Sequence, residues 1–240
     1  MPKIIIIENQ KEQFKILRQG LVANDVASTN DIYPKVSEWQ SFMNHIKIAI
    51  NNDYDYIEYG EYLRVEKKEV YDIIQEKRPD LIIIDYLLGG ATCEKGVELA
   101  IDIVNNVANQ QLSIIFVSRE RPSNDYDEFK EKNKGKIYVD WLSKSYSQDK
   151  ILENPYIKNV LCRDIKSIID KNLCEKINKY IILNEKNLIE DQLSSLKKVV
   201  KKIEKGETIN SQGYNIIWEI TNRNKSNISS DETELLLSIN

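Results

Sequence analysis

Glu8, Asp85, Ser118 and Lys144 each stand at the end of an apolar run in this 240-residue chain. Two carboxylates that lie close together repel each other, but a divalent cation can hold both as oxygen ligands. A carboxylate can also accept a phosphoryl group as an acyl phosphate, while a cation and a lysine neutralise the group in transfer. These residue types therefore permit phosphoryl chemistry at Asp85. The alternative is that Asp85 only caps the turn that follows it.

The apolar runs themselves indicate how these side chains are positioned. The run at residues 81–84 is too short for a helix and has no alternation, which is typical of a strand buried on both faces of a parallel sheet. Residues 4–7 form another continuous β-branched run. The strands are predicted at residues 3–8, 81–84, 112–117 and 137–142, and helices at residues 10–22, 39–50, 65–77, 94–107 and, anchored by Tyr126 and Phe129, within 119–133. Strands that alternate with helices predict a doubly wound parallel α/β sheet, whose strand ends form a ligand crevice.

Beyond Pro155 the pattern becomes helical. Apolar residues from Ile157 to Tyr180 mark one long amphipathic face, and a second helix from Ile189 to Ile203 carries a coiled-coil-like seam that ordinary helix packing also explains. Gly206 is a natural C-terminal stop for that helix. The lysines at residues 197–205 flank the seam, as the solvated faces of packed helices do.

Composition excludes some classes of partner. The net charge of -4 argues against a dominant attraction to nucleic acid or to an anionic membrane. No apolar stretch approaches the length of a membrane span, and the chain starts with a strand pattern rather than a signal peptide. We therefore expect a cytoplasmic protein with no membrane or nucleic-acid partner.

Four ordered motifs resemble the receiver domain of bacterial two-component response regulators. Arg78-Pro-Asp-Leu-Ile-Ile-Ile-Asp85-Tyr-Leu-Leu resembles the strand that carries the phosphoacceptor aspartate, and Gly96-Val-Glu-Leu99 resembles the start of the next helix. Ile114-Ile-Phe-Val-Ser118 resembles the strand that ends in a hydroxyl, and Asp140-Trp-Leu-Ser-Lys144 resembles the strand that carries the lysine. The resemblance covers Lys3 to about Lys171.

This resemblance implies a five-stranded, flavodoxin-like receiver domain at residues 1–180, with an insertion at about residues 24–65 after the first helix. Residues 181–240 would form a helical output or oligomerisation region. Asp85 would be the phosphoacceptor, with Ser118 and Lys144 beside it and Trp141 as the aromatic whose rotamer responds. The implied ligands of a Mg²⁺ ion are Glu8, Asn9, Asp85 and the backbone carbonyl of Leu87.

The implied function is that of a phosphoacceptor signalling protein rather than an enzyme, with at most a slow autodephosphorylation. A histidine kinase or another phosphodonor would be its partner, and the C-terminal helices would mediate protein contacts and a homodimer. Two alternatives stay open: a pseudo-receiver adaptor that is never phosphorylated, and a nucleotide-binding enzyme on a doubly wound sheet. Against the enzyme, no Gly-x-Gly-x-x-Gly or Walker motif follows Ile7.

The chain departs from the receiver pattern at three positions. Asn9 stands where receivers usually have a second acid, which should weaken Mg²⁺ binding because a charged ligand is lost. Arg119 follows Ser118 where a small residue is usual, so it would either obstruct a phosphoryl group or bind it. Ser145 replaces the proline that commonly follows the lysine.

Overall fold

A computed structural model describes most of the chain, namely residues 2–50, 70–88, 95–107, 112–119, 123–134, 136–144, 155–207, 209 and 211–223. The sheet within these residues has five strands in the order β2-β1-β3-β4-β5, all of them parallel. The strands are β1 (Ile4–Ile7), β2 (Ile32–Tyr33), β3 (Leu81–Asp85), β4 (Ser113–Ser118) and β5 (Tyr138–Ser143). The predicted doubly wound parallel α/β sheet is confirmed.

Continuous branched side chains explain why the central strands form. Every residue of β1 and β3 is buried, as expected for strands that helices cover on both faces. The flanking helices are α1 (Lys11–Ala23), α2 (Trp39–Ile50), α3 (helical residues 70–77), α4 (Lys95–Asn106) and α5 (Asn124–Lys132). Tyr126 and Phe129 anchor α5 in the core, as predicted, since both are nearly fully buried.

The second strand has only two residues and is held in place by a buried arginine. Arg18 on α1 donates hydrogen bonds to the backbone carbonyls of Thr29, Ile32 and Pro34. A strand of only two residues leaves backbone carbonyls of this segment without partners in the sheet, and the Arg18 guanidinium donates hydrogen bonds to them instead. The predicted insertion lies partly outside the described residues, because residues 51–69 are not described.

The C-terminal region is helical, as predicted. A π-helical segment (Ile157–Leu161) leads into α6 (Cys162–Asn184), which is followed by α7 (Glu190–Glu204) and α8 (Ser211–Arg223). Most of the predicted apolar seam packs into the cluster that α7 shares with α6, but Ile189, its first residue, precedes α7 and is exposed. The chain leaves α7 through Gly206 in the left-handed conformation, with φ of 73°. Among the described helices, none is both long enough and apolar enough to cross a bilayer.

Two hydrophobic clusters share helix α6. The larger cluster surrounds the sheet and includes Ile165 near the start of α6, while the smaller begins at Leu173 and joins α6 to α7 and α8. One continuous helix therefore contributes to both cores. The domain boundary at residue 180 stays a prediction.

Candidate functional site

The carboxyl ends of the strands bring four predicted site residues to one edge of the sheet. Glu8 directly follows β1, Asp85 and Ser118 are the last residues of β3 and β4, and Lys144 directly follows β5. The register places the ends of the three neighbouring strands β3, β4 and β5 level with one another. Parallel strands end on the same side of a sheet, which is where α/β proteins bind ligands.

The Lys144 ammonium lies at the centre of this edge. Its Nζ atom is 2.7 Å from Glu8 Oε2, 3.0 Å from Asp85 Oδ1 and 3.0 Å from Gln13 Oε1. An ammonium has three N–H donors, so each donor has an acceptor. Burial by itself lowers the pKa of Lys144, but the charges of Glu8 and Asp85 outweigh that effect and the net shift is upward. The lysine is therefore a cation at neutral pH.

Glu8 is the most unusual acid of the site. Its side chain is 1% exposed, Gln10 N donates to its Oε1 at 2.9 Å, and Trp39 Nε1 donates to its backbone carbonyl at 3.0 Å. Burial raises the pKa of Glu8 to about 7; Lys144 opposes this rise, and the charge of Asp85 adds to it. This carboxyl therefore changes its protonation near neutral pH.

Asn9 connects the end of β1 to the turn after Asp85. Its Nδ2 donates to the carbonyls of Leu87 at 3.3 Å and Leu88 at 3.2 Å, and Leu87 N in turn donates to Asp85 Oδ1 at 3.4 Å. The other amide atom, Asn9 Oδ1, is buried and has no hydrogen-bond partner among the described residues. Such an oxygen is costly to leave unpaired.

The donor set fits a Mg²⁺ ion by type. Glu8, Asp85, Asn9 Oδ1 and the Leu87 carbonyl are all oxygen donors, and the unpartnered Asn9 Oδ1 is one that a cation would satisfy. The described residues contain no group of three acidic, histidine or cysteine side chains that could hold a metal ion. Glu8 and Asp85 are the two carboxylates that the structure places here, and Lys144 is already paired with both.

The remaining predicted residues lie around this centre. Ser118 is buried, and its backbone carbonyl accepts a hydrogen bond of 2.7 Å from the backbone N–H of Lys144. Trp141 is half-buried, and its indole nitrogen is buried without a hydrogen-bond partner within the described residues. Arg119 is exposed. The structure thus brings Lys144 and the two carboxylates into direct contact, with the hydroxyl-bearing strand end beside them.

Several residues of the site were not predicted from the sequence. Gln13 contacts Lys144 and is buried on the face of α1 that also carries Leu17, so a polar residue on an apolar stripe was the available signal. Gly96 lies against the end of β3, where an added Cβ would be 2.5 Å from the Asp85 carbonyl. Only a residue without a side chain fits this approach.

The residue after Asp85 also links the site to helix α5. The Tyr86 hydroxyl donates to Ser123 Oγ at 2.6 Å and accepts from Ser123 N at 2.9 Å. Ser123 is the residue before the first turn of α5, and the Tyr86 ring packs edge-on against Phe116. The turn after Asp85 is therefore tied directly to the start of α5.

Fold and site together define a doubly wound α/β protein with a carboxylate–lysine centre at the carboxyl edge of its sheet. Comparisons of the chain with protein-family models, with curated proteins and with solved structures find no match in any of the three. What the centre does must therefore be argued from its own residues.

Proposed function

We propose that this chain is a response-regulator-like signalling protein, in which Asp85 accepts a phosphoryl group and helical regions transmit the change to protein partners. One observation carries the proposal: the Lys144 ammonium lies 2.7 Å from Glu8 and 3.0 Å from Asp85, at the carboxyl edge of a parallel sheet in the order 2-1-3-4-5. A histidine kinase or another phosphodonor in the cytoplasm would supply the phosphoryl group.

In the proposed step, an Asp85 carboxylate oxygen attacks the phosphorus of the donor. A new P–O bond forms, the bond from phosphorus to the donor's leaving group breaks, and the leaving group departs with that electron pair. Lys144 pairs with a phosphoryl oxygen, and the Ser118 hydroxyl donates a hydrogen bond to another. Bound Mg²⁺, held by Glu8, Asp85, Asn9 and the Leu87 carbonyl, would supply further positive charge against the phosphoryl oxygens.

The response to phosphorylation would spread from Ser118 and Trp141. The Trp141 indole N–H has no hydrogen-bond partner among the described residues, so a change of its rotamer breaks no such bond. If the Ser118 hydroxyl moves toward the phosphoryl group, it leaves space on the side from which it moved. The Trp141 ring would then have two positions, and phosphorylation of Asp85 would favour one of them over the other.

A pseudo-receiver adaptor is the second candidate, and the same centre favours it in one respect. Lys144 already satisfies both carboxylates, while the Leu87 carbonyl accepts a hydrogen bond from Asn9. A centre that is paired in this way is stable without any phosphoryl group. The protein would then act as a constitutive binding surface.

Intact mass after incubation with Mg²⁺ and acetyl phosphate or phosphoramidate separates the two candidates. We expect one added phosphoryl group in the native chain and in Asp140→Asn, a control that removes a carboxylate of β5, which is separated from β3 by β4. The adduct should be absent from Asp85→Asn. No adduct from either donor, together with no Mg²⁺ binding in titration calorimetry, would reject the phosphoacceptor and leave the adaptor.

The C-terminal helices are the proposed contact region for a homodimer. Ile182 and Ile189, near the junction of α6 and α7, are 75% and 63% exposed, and Leu183 between them is 48% exposed. Large apolar side chains that cluster on a surface typically mark an interaction site. Sedimentation velocity tests the dimer: Ile182→Lys should shift the chain to monomer, while Val36→Lys, at an exposed apolar residue far away in sequence, should not.

A further inference from the structure

We propose that Gln13 is a positioning residue of the Asp85 centre, whose amide oxygen holds the Lys144 ammonium when a divalent cation takes up the carboxylates. This inference rests on the proposed function for its consequence, but the contact itself does not depend on phosphorylation. Gln13 belongs to helix α1 and is 6% exposed. It lies outside the set of residues that the receiver resemblance implies.

The geometry gives Gln13 a distinct place among the three acceptors of the ammonium. Glu8 Oε2 and Asp85 Oδ1 are charged and are also the proposed cation ligands, whereas Gln13 Oε1, at 3.0 Å, is neutral. Gln13 Oε1 is neutral and already accepts a hydrogen bond from Lys144, unlike the unpartnered Asn9 Oδ1, so the cation is drawn to the carboxylates and to Asn9 instead. Gln13 is therefore the acceptor that stays with Lys144 in both states of the centre.

Cation binding makes this role necessary. A divalent cation at the two carboxylates repels the ammonium and competes with it for two of its three acceptors. Lys144 is only 5% exposed, so water does not freely replace them. An ammonium without any acceptor in a buried site is strongly unfavourable. Gln13 Oε1 lowers this cost, because one hydrogen bond of Lys144 is retained while the cation enters.

Two substitutions isolate the acceptor from the packing. Gln13→Met is close in shape and has no hydrogen-bond acceptor of comparable strength, whereas Gln13→Glu keeps the acceptor oxygen and adds charge. Titration calorimetry of the full chain with Mg²⁺ should show affinity weakened by about tenfold to a hundredfold in Gln13→Met. Gln13→Glu should bind Mg²⁺ at least as tightly as the native chain. Equal Mg²⁺ affinity in Gln13→Met and the native chain would overturn the role in cation entry.

A second measurement needs no cation. The ¹⁵N-detected ammonium signal of Lys144 should be visible in the native chain, because three acceptors slow proton exchange, and should be lost in Gln13→Met. Gln13→Glu should restore it. Leu17→Ala, which weakens the packing of α1 but leaves the acceptor, should keep it, so that loss of stability alone is excluded as the cause.

The two measurements separate failure of this inference from failure of the proposed function. If the native chain binds no Mg²⁺, the role of Gln13 in cation entry is overturned, and the ammonium signal then tests only whether Gln13 positions Lys144 in the cation-free centre. Loss of that signal in Gln13→Met, with recovery in Gln13→Glu, then supports the role of Gln13. Retention of the signal in Gln13→Met overturns it, whatever the phosphorylation assay shows.

Discussion

A buried carboxyl that keeps its proton up to a pH of about 7 makes the folded protein sensitive to pH, and Glu8→Gln tests this. The pKa of Glu8 rises from an ordinary 4.5 to about 7 on folding, chiefly through burial. Between these values the folded chain binds a proton that the unfolded chain releases. The stabilisation from this proton is therefore fully present below about pH 4.5 and is lost as the pH rises through about 7.

The size of the effect follows from the two pKa values. One pKa unit corresponds to about 1.36 kcal/mol, so the rise of the Glu8 pKa from 4.5 to about 7 corresponds to roughly 3 kcal/mol of unfolding free energy. The Glu8→Gln variant carries an amide that resembles the protonated carboxyl and does not titrate. The unfolding free energy of the native chain minus that of Glu8→Gln should therefore fall by roughly 3 kcal/mol between about pH 4.5 and about pH 8.

Urea unfolding of both chains across this pH range, with linear extrapolation, measures the difference. Subtraction removes the pH dependence that the two chains share. Glu12→Gln replaces a carboxylate that is 77% exposed and paired with Lys15, and it is the control for the chemical change itself. A difference between the native chain and Glu8→Gln that does not change with pH would refute the assignment of a raised pKa to this carboxyl.

Three further substitutions test contacts around the site and in the C-terminal region, each by urea unfolding. Gly96→Ala places a Cβ 2.9 Å from the Tyr86 backbone and should cost about 1 to 3 kcal/mol of unfolding free energy. Tyr86→Phe leaves the Ser123 N–H without its acceptor and should cost about 1 to 2 kcal/mol. Lys166→Met removes the ion-pair partner of buried Asp170, which keeps only the hydrogen bond from the Tyr214 hydroxyl among its described contacts, and should cost about 3 to 5 kcal/mol, whereas Asp170→Asn with Lys166→Met should recover part of that loss. Unchanged unfolding midpoints would contradict the respective contact.

The parallel sheet was predictable because its central strands need continuous apolar runs. The run of isoleucines that forms β1 and the run that forms β3 are buried on both faces, so no other arrangement satisfies them as well. The resemblance implied a fifth strand, but the sequence did not locate β2, because Ile32–Tyr33 is too short to show a pattern. Its position depends on hydrogen bonds from Arg18, which is distant in sequence from the sheet residues it supports.

The strand topology predicted which strand-end residues meet at the site, but it did not predict the contribution of the helices. The meeting of Glu8, Asp85 and Lys144 was predicted, since residues at the ends of parallel strands converge once the strand order is given. Gln13 was missed because a polar residue on a helix reveals its partner only when the helix is placed against the sheet. Repulsion between neighbouring carboxylates was expected, and the charge of Asp85 does raise the pKa of Glu8, but the larger cause is burial, which depends on what covers the strand end.

The charges of the centre explain why one geometry supports two candidate functions. Glu8 and Asp85 with Lys144 leave one negative charge uncompensated when both acids are ionised, and none when Glu8 holds its proton. Asn9 is an amide and adds no negative charge that would attract a cation. A phosphoryl group adds negative charge that Lys144 alone does not balance, so a working phosphoacceptor requires the cation. A pseudo-receiver requires only the pairing already present, and the affinity of this centre for Mg²⁺ is therefore the quantity on which the two candidates differ.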